Sequence, residues 1–160
     1  MQNIKFALQD DFKDMIKILL EEKVKFILVG GIAVILYGHV RGTKDLDLWV
    51  YANPQNAPLL IKALAKFGAP MQDIFASDFE LEGTVFQIGT APVRIDIITR
   101  IAGLNFEEAM HNVNIMEIDG LQVPVISIED LIKNKKASGR FQDLADARVL
   151  EKILEKRGKN

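Results

Sequence analysis

Two aspartates alternate with leucines in Thr43-Lys44-Asp45-Leu46-Asp47-Leu48-Trp49-Val50, and this run constrains the fold more than any other feature of the chain. Alternation at a period of two is strand geometry: Leu46 and Leu48 turn to a core, while Asp45 and Asp47 share the other face about 6.5–7 Å apart at their Cα atoms. Strand interiors are depleted in aspartate. A solvated edge strand accounts for such a face, but two like charges held this close also suit a divalent cation, which takes oxygen ligands and joins carboxylates to phosphate.

Upstream, the apolar run Phe26–Val29 ends in Gly30-Gly31, and residues 32–37 continue as a small-residue helix up to Gly38. A glycine pair between strand and helix lets backbone approach a ligand without Cβ atoms in the way, and the helix start offers free N–H groups to phosphate. The plainer reading is a tight turn. Asp96 adds a third carboxylate inside an apolar strand, Val93-Arg94-Ile95-Asp96-Ile97-Ile98; the plainer readings are an ion pair with Arg94 on the same face or a solvated outer face, and the other is that it joins the first two. Taken together these features read as a site for a metal-bound nucleoside triphosphate.

Composition narrows the chemistry. The chain has 160 residues, 49% hydrophobic and 26% charged, which fits a single domain over 1–160. It has no cysteine, so disulfides and thiolate nucleophiles are excluded. The two histidines, His39 and His111, have no neighbours at triad spacing and read as structural or solvent-facing. A net charge of −2 gives no overall footprint for nucleic acid, so any polyanion is held locally. The one basic cluster is Lys133, Lys135, Lys136 and Arg140, which also reads as a solvated helix end. No apolar run reaches the roughly 20 residues of a membrane span, and the first residues lack signal-peptide order, so a cytoplasmic protein is expected.

Hydrophobic periodicity predicts helices over 11–23, 54–67, 106–111 and 143–156, and a further helix begun by Ser127 as the cap of Ser127-Ile128-Glu129-Asp130. Asp10 or Asp11 is the expected cap of the first, and Asp143 that of the last, whose inward face carries Leu144, Ala147, Leu150 and Leu154. Strands are predicted at 26–29, 45–51, 85–88, 93–99, 113–118 and 121–126, with hairpins across Gly89-Thr90-Ala91-Pro92 and Asp119-Gly120. Residues 71–81 show no firm period and read as loop. Trp49 and Tyr51 share the carboxylate face by parity and are expected to pack beneath a neighbouring helix. The fold class is α+β, a mixed sheet backed by helices.

The pattern Val29-Gly30-Gly31, then Asp45-Leu46-Asp47-Leu48 and Asp96 on a later strand, resembles the signature of the DNA-polymerase-β-like nucleotidyltransferases. Gly38-x-x-Arg41-x-Thr43-x-Asp45-Leu46-Asp47, and later Leu131-Ile132 with Lys135, Ala137, Arg140, Asp143-Leu144 and Asp146, resembles minimal and abortive-infection-type members, among them antibiotic-modifying enzymes and toxins of toxin–antitoxin systems. In those families the second residue of the glycine pair is often Ser, where this chain has Gly31. The resemblance implies Asp45, Asp47 and Asp96 as ligands of Mg2+ or Mn2+ and as the catalytic set, with Asp96 as base toward an acceptor hydroxyl. It also implies nucleotide and phosphate binding by Gly30, Gly31, Arg41, Thr43, Lys44, Lys135 and Arg140.

The implied reaction moves a nucleoside monophosphate from a nucleoside triphosphate to a tRNA, protein or small-molecule hydroxyl. A second reading keeps the fold without turnover, as a nucleotide-binding or antitoxin-like module working with a partner protein. A third, a metal-dependent phosphate-handling enzyme of another fold, fits poorly with the Lys135 to Asp146 pattern.

Overall fold

The computed structural model describes residues 8–43, 45–90 and 93–158. Lys44, and with it the expectation of a phosphate contact there, lies outside the described residues, as do Ala91 and Pro92 of the first expected hairpin turn.

The first amphipathic stretch forms α1 (Asp10–Glu21), burying Phe12, Met15, Ile16 and Leu19 at its 3.6-residue spacing. Gln9 stands at its cap, so Asp10 and Asp11 lie inside the first turn, where their charges face the positive end of the helix dipole, rather than before it. β1 (Phe26–Val29) is buried throughout and runs directly into α2 (Gly30–Leu36). The glycine pair is therefore the first turn of the helix, two residues earlier than periodicity suggests. β2 (Asp45–Val50) follows, then α3 (Asn56–Phe67), which ends at Gly68 and packs on α1. Residues 71–81 are loop apart from a short 3₁₀ turn, Ala76–Phe79.

β3 (Val85–Ile88) and β4 (Arg94–Ile98) pair antiparallel, α4 (Phe106–Asn112) is capped by the Asn105 side chain, and β5 (Asn114–Ile118) and β6 (Leu121–Val125) form the second hairpin. Its turn has positive φ at both Asp119 (50°) and Gly120 (80°), the geometry a two-residue hairpin loop requires. Ser127 caps α5 (Ile128–Ser138) by accepting from the Asp130 N–H, as its capping pattern predicts, and α6 (Phe141–Gly158) packs against α5.

Among the described residues six strands make one sheet in the order β3-β4-β2-β1-β6-β5. β2 sits between β1, antiparallel to it, and β4, parallel to it. Leu46, Leu48 and Val50 on one face of β2 are fully buried, as alternation predicts. Trp49 on the other face is also fully buried, its ring edge-on to Phe106, and Tyr51 stacks on the same Phe106 with centroids 4.9 Å apart. The first residue of α4 thus seals the carboxylate face beyond Asp47.

Candidate active site

Register places the acidic residues. Across β2 and β4, Asp47 stands opposite Asp96 and Asp45 opposite Arg94; across β1 and β2, Asp47 stands opposite Val29, the residue before the glycine pair. Two strand pairings therefore bring the carboxylates and the glycine turn together, although 49 residues separate Asp47 from Asp96 in the chain.

Gly30 has φ +74°, and a Cβ there would overlap Asp47 Oδ2 and come within 2.9 Å of the Asp47 Cβ and Cγ atoms. Only glycine meets both demands without strain. A Cβ on Gly31 would fall 2.6 Å from Thr43 Oγ1 and 3.1 Å from Arg41 Nη2, so the threonine hydroxyl and the guanidinium fill the room a side chain at position 31 would need.

These groups open on one cavity of about 470 Å³, lined by Gly30, Gly31, Arg41, Thr43, Asp45, Asp47, Lys135, Arg140 and Asp143, with an apolar wall of Ile98, Ile101 and Ala102. Of the sequence-predicted residues within the described ones, only Asp96 is not part of the lining; it is 7% exposed and adjoins Asp47 across the strands.

Charge on the sheet is unbalanced. Burial, then the charges of Asp96 and Asp45, push the Asp47 carboxyl up to about 6 against a partial pull down from Lys135. Among the described residues, Arg94 is the cation that meets the other two: its Nη2 donates to Asp45 Oδ2 at 2.8 Å and to Asp96 Oδ2 at 3.2 Å. Its Nε lies 3.2 Å from Asp96 Oδ1, yet the two are misaligned, and both atoms are buried without a hydrogen-bond partner. The ion pair with Arg94 that sequence offered as the plainer reading of Asp96 is thus present, and it extends to Asp45.

At the other side of the cavity, Lys135 is 7% exposed rather than solvated at a helix end. Its ammonium lies 3.4 Å from Asp143 Oδ1 and 3.3 Å from Asp146 Oδ2. Asp146, fully buried, also meets Arg41 Nη1 at 3.3 Å and His39 Nε2 at 3.6 Å, so His39 joins a charged cluster. Asp143 is not the cap of α6; it lies in the first turn and accepts from Ser138 Oγ and Arg140 Nε. Burial alone would raise its carboxyl, but Arg140, Ser138 and Lys135 outweigh that and hold it below the usual aspartate range. Because Asp143 and Asp146 take the inward face at the start of α6, Leu144 is turned outward, 41% exposed, against expectation.

Sequence reasoning left the part of Asp146 and the double contact of Arg94 unassigned. The spacing of Asp143 and Asp146, one helical turn, and of Arg94 and Asp96, two strand positions, was the available signal. Arg41 Nε is buried and without an acceptor, a donor left over on the cavity wall for an anion.

Among the described residues no three Asp, Glu, His or Cys side chains converge as a ready metal centre. The chemistry of the set nonetheless fits a hard divalent cation: three carboxylates, one with an unpartnered buried oxygen and one pushed up by uncompensated neighbours.

A family model described as "Nucleotidyl transferase of unknown function (DUF2204)" matches residues 8–159, and the chain belongs to this nucleotidyl transferase family. Its fold is similar to that of the lincosamide antibiotic adenylyltransferase LnuA, seen in a lincomycin-bound crystal structure: TM-score 0.60, 18% identity, 92% of this chain and 98% of that one covered. It is also similar to the solution structure of the antibiotic-resistance factor ANT(2'')-Ia, with TM-score 0.61, 16% identity, and 90% and 82% of the two chains covered. No curated protein matches the sequence. No helix among the described residues is long and apolar enough to cross a membrane.

Proposed function

We propose that this chain transfers a nucleoside monophosphate from a nucleoside triphosphate to an acceptor hydroxyl, with Mg2+ or Mn2+ held by Asp45, Asp47 and Asp96. The observation that carries this reading is the meeting, at one cavity, of the glycine turn packed on Asp47, the carboxylates of β2 and the cations Arg41, Lys135 and Arg140. Nothing in that set is a nucleophile, and phosphoryl-type transfer needs none from the protein, since positioning and charge stabilisation carry it.

In this reading the Gly30 and Gly31 backbone admits the triphosphate, and the Thr43 hydroxyl, Arg41, Lys135 and Arg140 bind its oxygens. Ile98, Ile101 and Ala102 offer an apolar wall to the base. Asp96 accepts the proton of the acceptor hydroxyl as the new P–O bond forms at the α-phosphorus; the bond to the β-phosphate breaks, and the cations neutralise the departing pyrophosphate. The metal, when bound, polarises the phosphate oxygens and lowers the pKa of the attacking hydroxyl.

The acceptor is a tRNA, a protein side chain or a small molecule; the antibiotic adenylyltransferase fold favours the last, and the abortive-infection resemblance the first two, in a toxin–antitoxin setting in the cytoplasm. A catalytically silent nucleotide-binding or antitoxin-like module is the second reading, and the contact of Arg94 with two of the three carboxylates favours it.

The deciding experiment incubates the protein with each α-labelled triphosphate, Mg2+ and a cell extract, then separates RNA, protein and small molecules. Label in one fraction, lost with Asp47→Asn, supports transfer. Triphosphate binding with no labelled fraction selects the silent module, and neither binding nor label overturns the site.

A further inference from the structure

Among the described residues, three anions on β2 and β4 face one close cation, Arg94, and where it sits has a consequence for metal binding. Register sets Arg94 directly opposite Asp45 and two positions before Asp96 on the same face, so its guanidinium reaches both carboxylates from the first residue of β4. It donates to Asp45 at 2.8 Å and to Asp96 at 3.2 Å. A cation shared by those two carboxylates competes with a guanidinium that already bridges Asp45 Oδ2 and Asp96 Oδ2. Building on the function proposed above, we propose that Arg94 is a resident counter-ion which a divalent cation displaces from Asp45 and Asp96, so that metal enters together with the triphosphate rather than ahead of it.

Three features make the contact replaceable. The Asp96 end is poorly made, because Nε and Oδ1 lie 3.2 Å apart without hydrogen-bond alignment and both stay unpartnered. The Arg94 side chain is 36% exposed, so the guanidinium has solvent to move into. The pairing also lies at the first residues of β2 and β4, apart from the network between α5 and α6: Lys135, Arg41 and Arg140 are engaged with Asp143 and Asp146 and do not touch Asp45 or Asp96 in this structure.

Charge then orders the events. The three carboxylates and Arg94 sum to two negative charges when all are ionised. A metal ion arriving alone meets a guanidinium across a few ångströms and must expel it. A metal ion arriving on a triphosphate brings anions of its own, which Arg94 can meet once it has swung clear.

Mn2+ binding in the absence of nucleotide, followed by electron paramagnetic resonance at fixed ionic strength, tests this on wild type, Arg94→Gln and Arg140→Gln. Arg140→Gln removes one positive charge from the same cavity without touching Asp45 or Asp96, and so measures the effect of charge alone. The expected result is Mn2+ binding about tenfold tighter in Arg94→Gln and changed by less than about threefold in Arg140→Gln. Equal affinity in wild type and Arg94→Gln, or equal tightening in both variants, overturns the proposal.

A second measurement needs no variant. The ¹⁵N–¹H signal of Arg94 Nε in wild type should shift when Mg2+ and a non-hydrolysable triphosphate are added together; a signal unmoved at saturation overturns displacement. Failure here is separable from failure of the function. A wild type that binds metal and triphosphate while Arg94 stays in place loses only this inference, whereas one that binds neither loses the site.

Discussion

The two charged clusters that face each other across the cavity are built oppositely. On the sheet, Asp45, Asp47 and Asp96 share Arg94 and the distant pull of Lys135, and Asp47 is left with its carboxyl pushed up to about 6. Between α5 and α6, Asp143 and Asp146 are met by Lys135, Arg140, Arg41 and His39, and Asp143 is held below the usual aspartate range. Among the described residues, the sheet cluster has one close cation for its three carboxylates, and the helix cluster has three for its two. The sheet cluster is a place to add a cation; the helix cluster is a frame that fixes cations where an anion can use them. Opposite effects of neutralising an aspartate in each should follow.

The largest effect is expected at Asp146. Removing its charge with Asp146→Asn leaves Lys135 with Asp143 alone and Arg41 with no carboxylate, beside a fully buried site where breaking a paired charge costs about 3–5 kcal/mol. Chemical denaturation should show that loss, with triphosphate affinity falling in whatever fraction stays folded. A change under about 1 kcal/mol would mean that the helix cluster is a loose surface feature and that the contrast is mistaken.

Asp47→Asn should act with the opposite sign. A carboxyl whose pKa is raised on folding binds more protons folded than unfolded, so stability is full below the unfolded value and falls as pH rises through about 6. Above that, the metal-free wild type carries a penalty on the order of 3 kcal/mol. The variant should therefore melt higher than wild type at pH 7.5, and the difference should shrink toward pH 4. Asp143 has the reverse dependence: its stabilisation is present above the unfolded pKa and is lost as pH falls through the lowered folded value, and Asp143→Asn should remove that acid sensitivity. Parallel pH profiles for the two variants would break the comparison.

The hairpin at Asp119-Gly120, the strands around Asp45 and Asp96 and the cap at Ser127 are legible in the sequence because each is set by a local rule, a turn chemistry or a period of two. The charged face of α6 is not, since aspartate at helical spacing reads the same whether it faces water or a buried lysine. Asp143 and Leu144 exchange inside and outside for that reason. The neighbours of Gly31 are likewise tertiary: no sequence rule places Thr43 Oγ1 where a side chain at 31 would begin.

That crowding sets the smallest expected effect. Gly31→Ser has to move Thr43 and Arg41 and adds a hydroxyl at the turn, while Gly31→Val puts a branched side chain against both. Triphosphate affinity, compared at matched foldedness, should fall by about 1.4 kcal/mol more in the valine variant, a tenfold difference. Equal binding by folded Gly31→Val and wild type would place the phosphates away from the glycine turn.

The most direct test of the central claim is the melting temperature of wild type and Asp47→Asn with Mg2+, each triphosphate, and both together. Metal and triphosphate together should stabilise wild type by about 2.7 kcal/mol at 100 times the dissociation constant, with each alone doing less, and should leave Asp47→Asn near its own baseline. A wild-type curve unmoved by all four triphosphates with saturating metal, or a shift of equal size in Asp47→Asn, would contradict a nucleotide site built on these carboxylates.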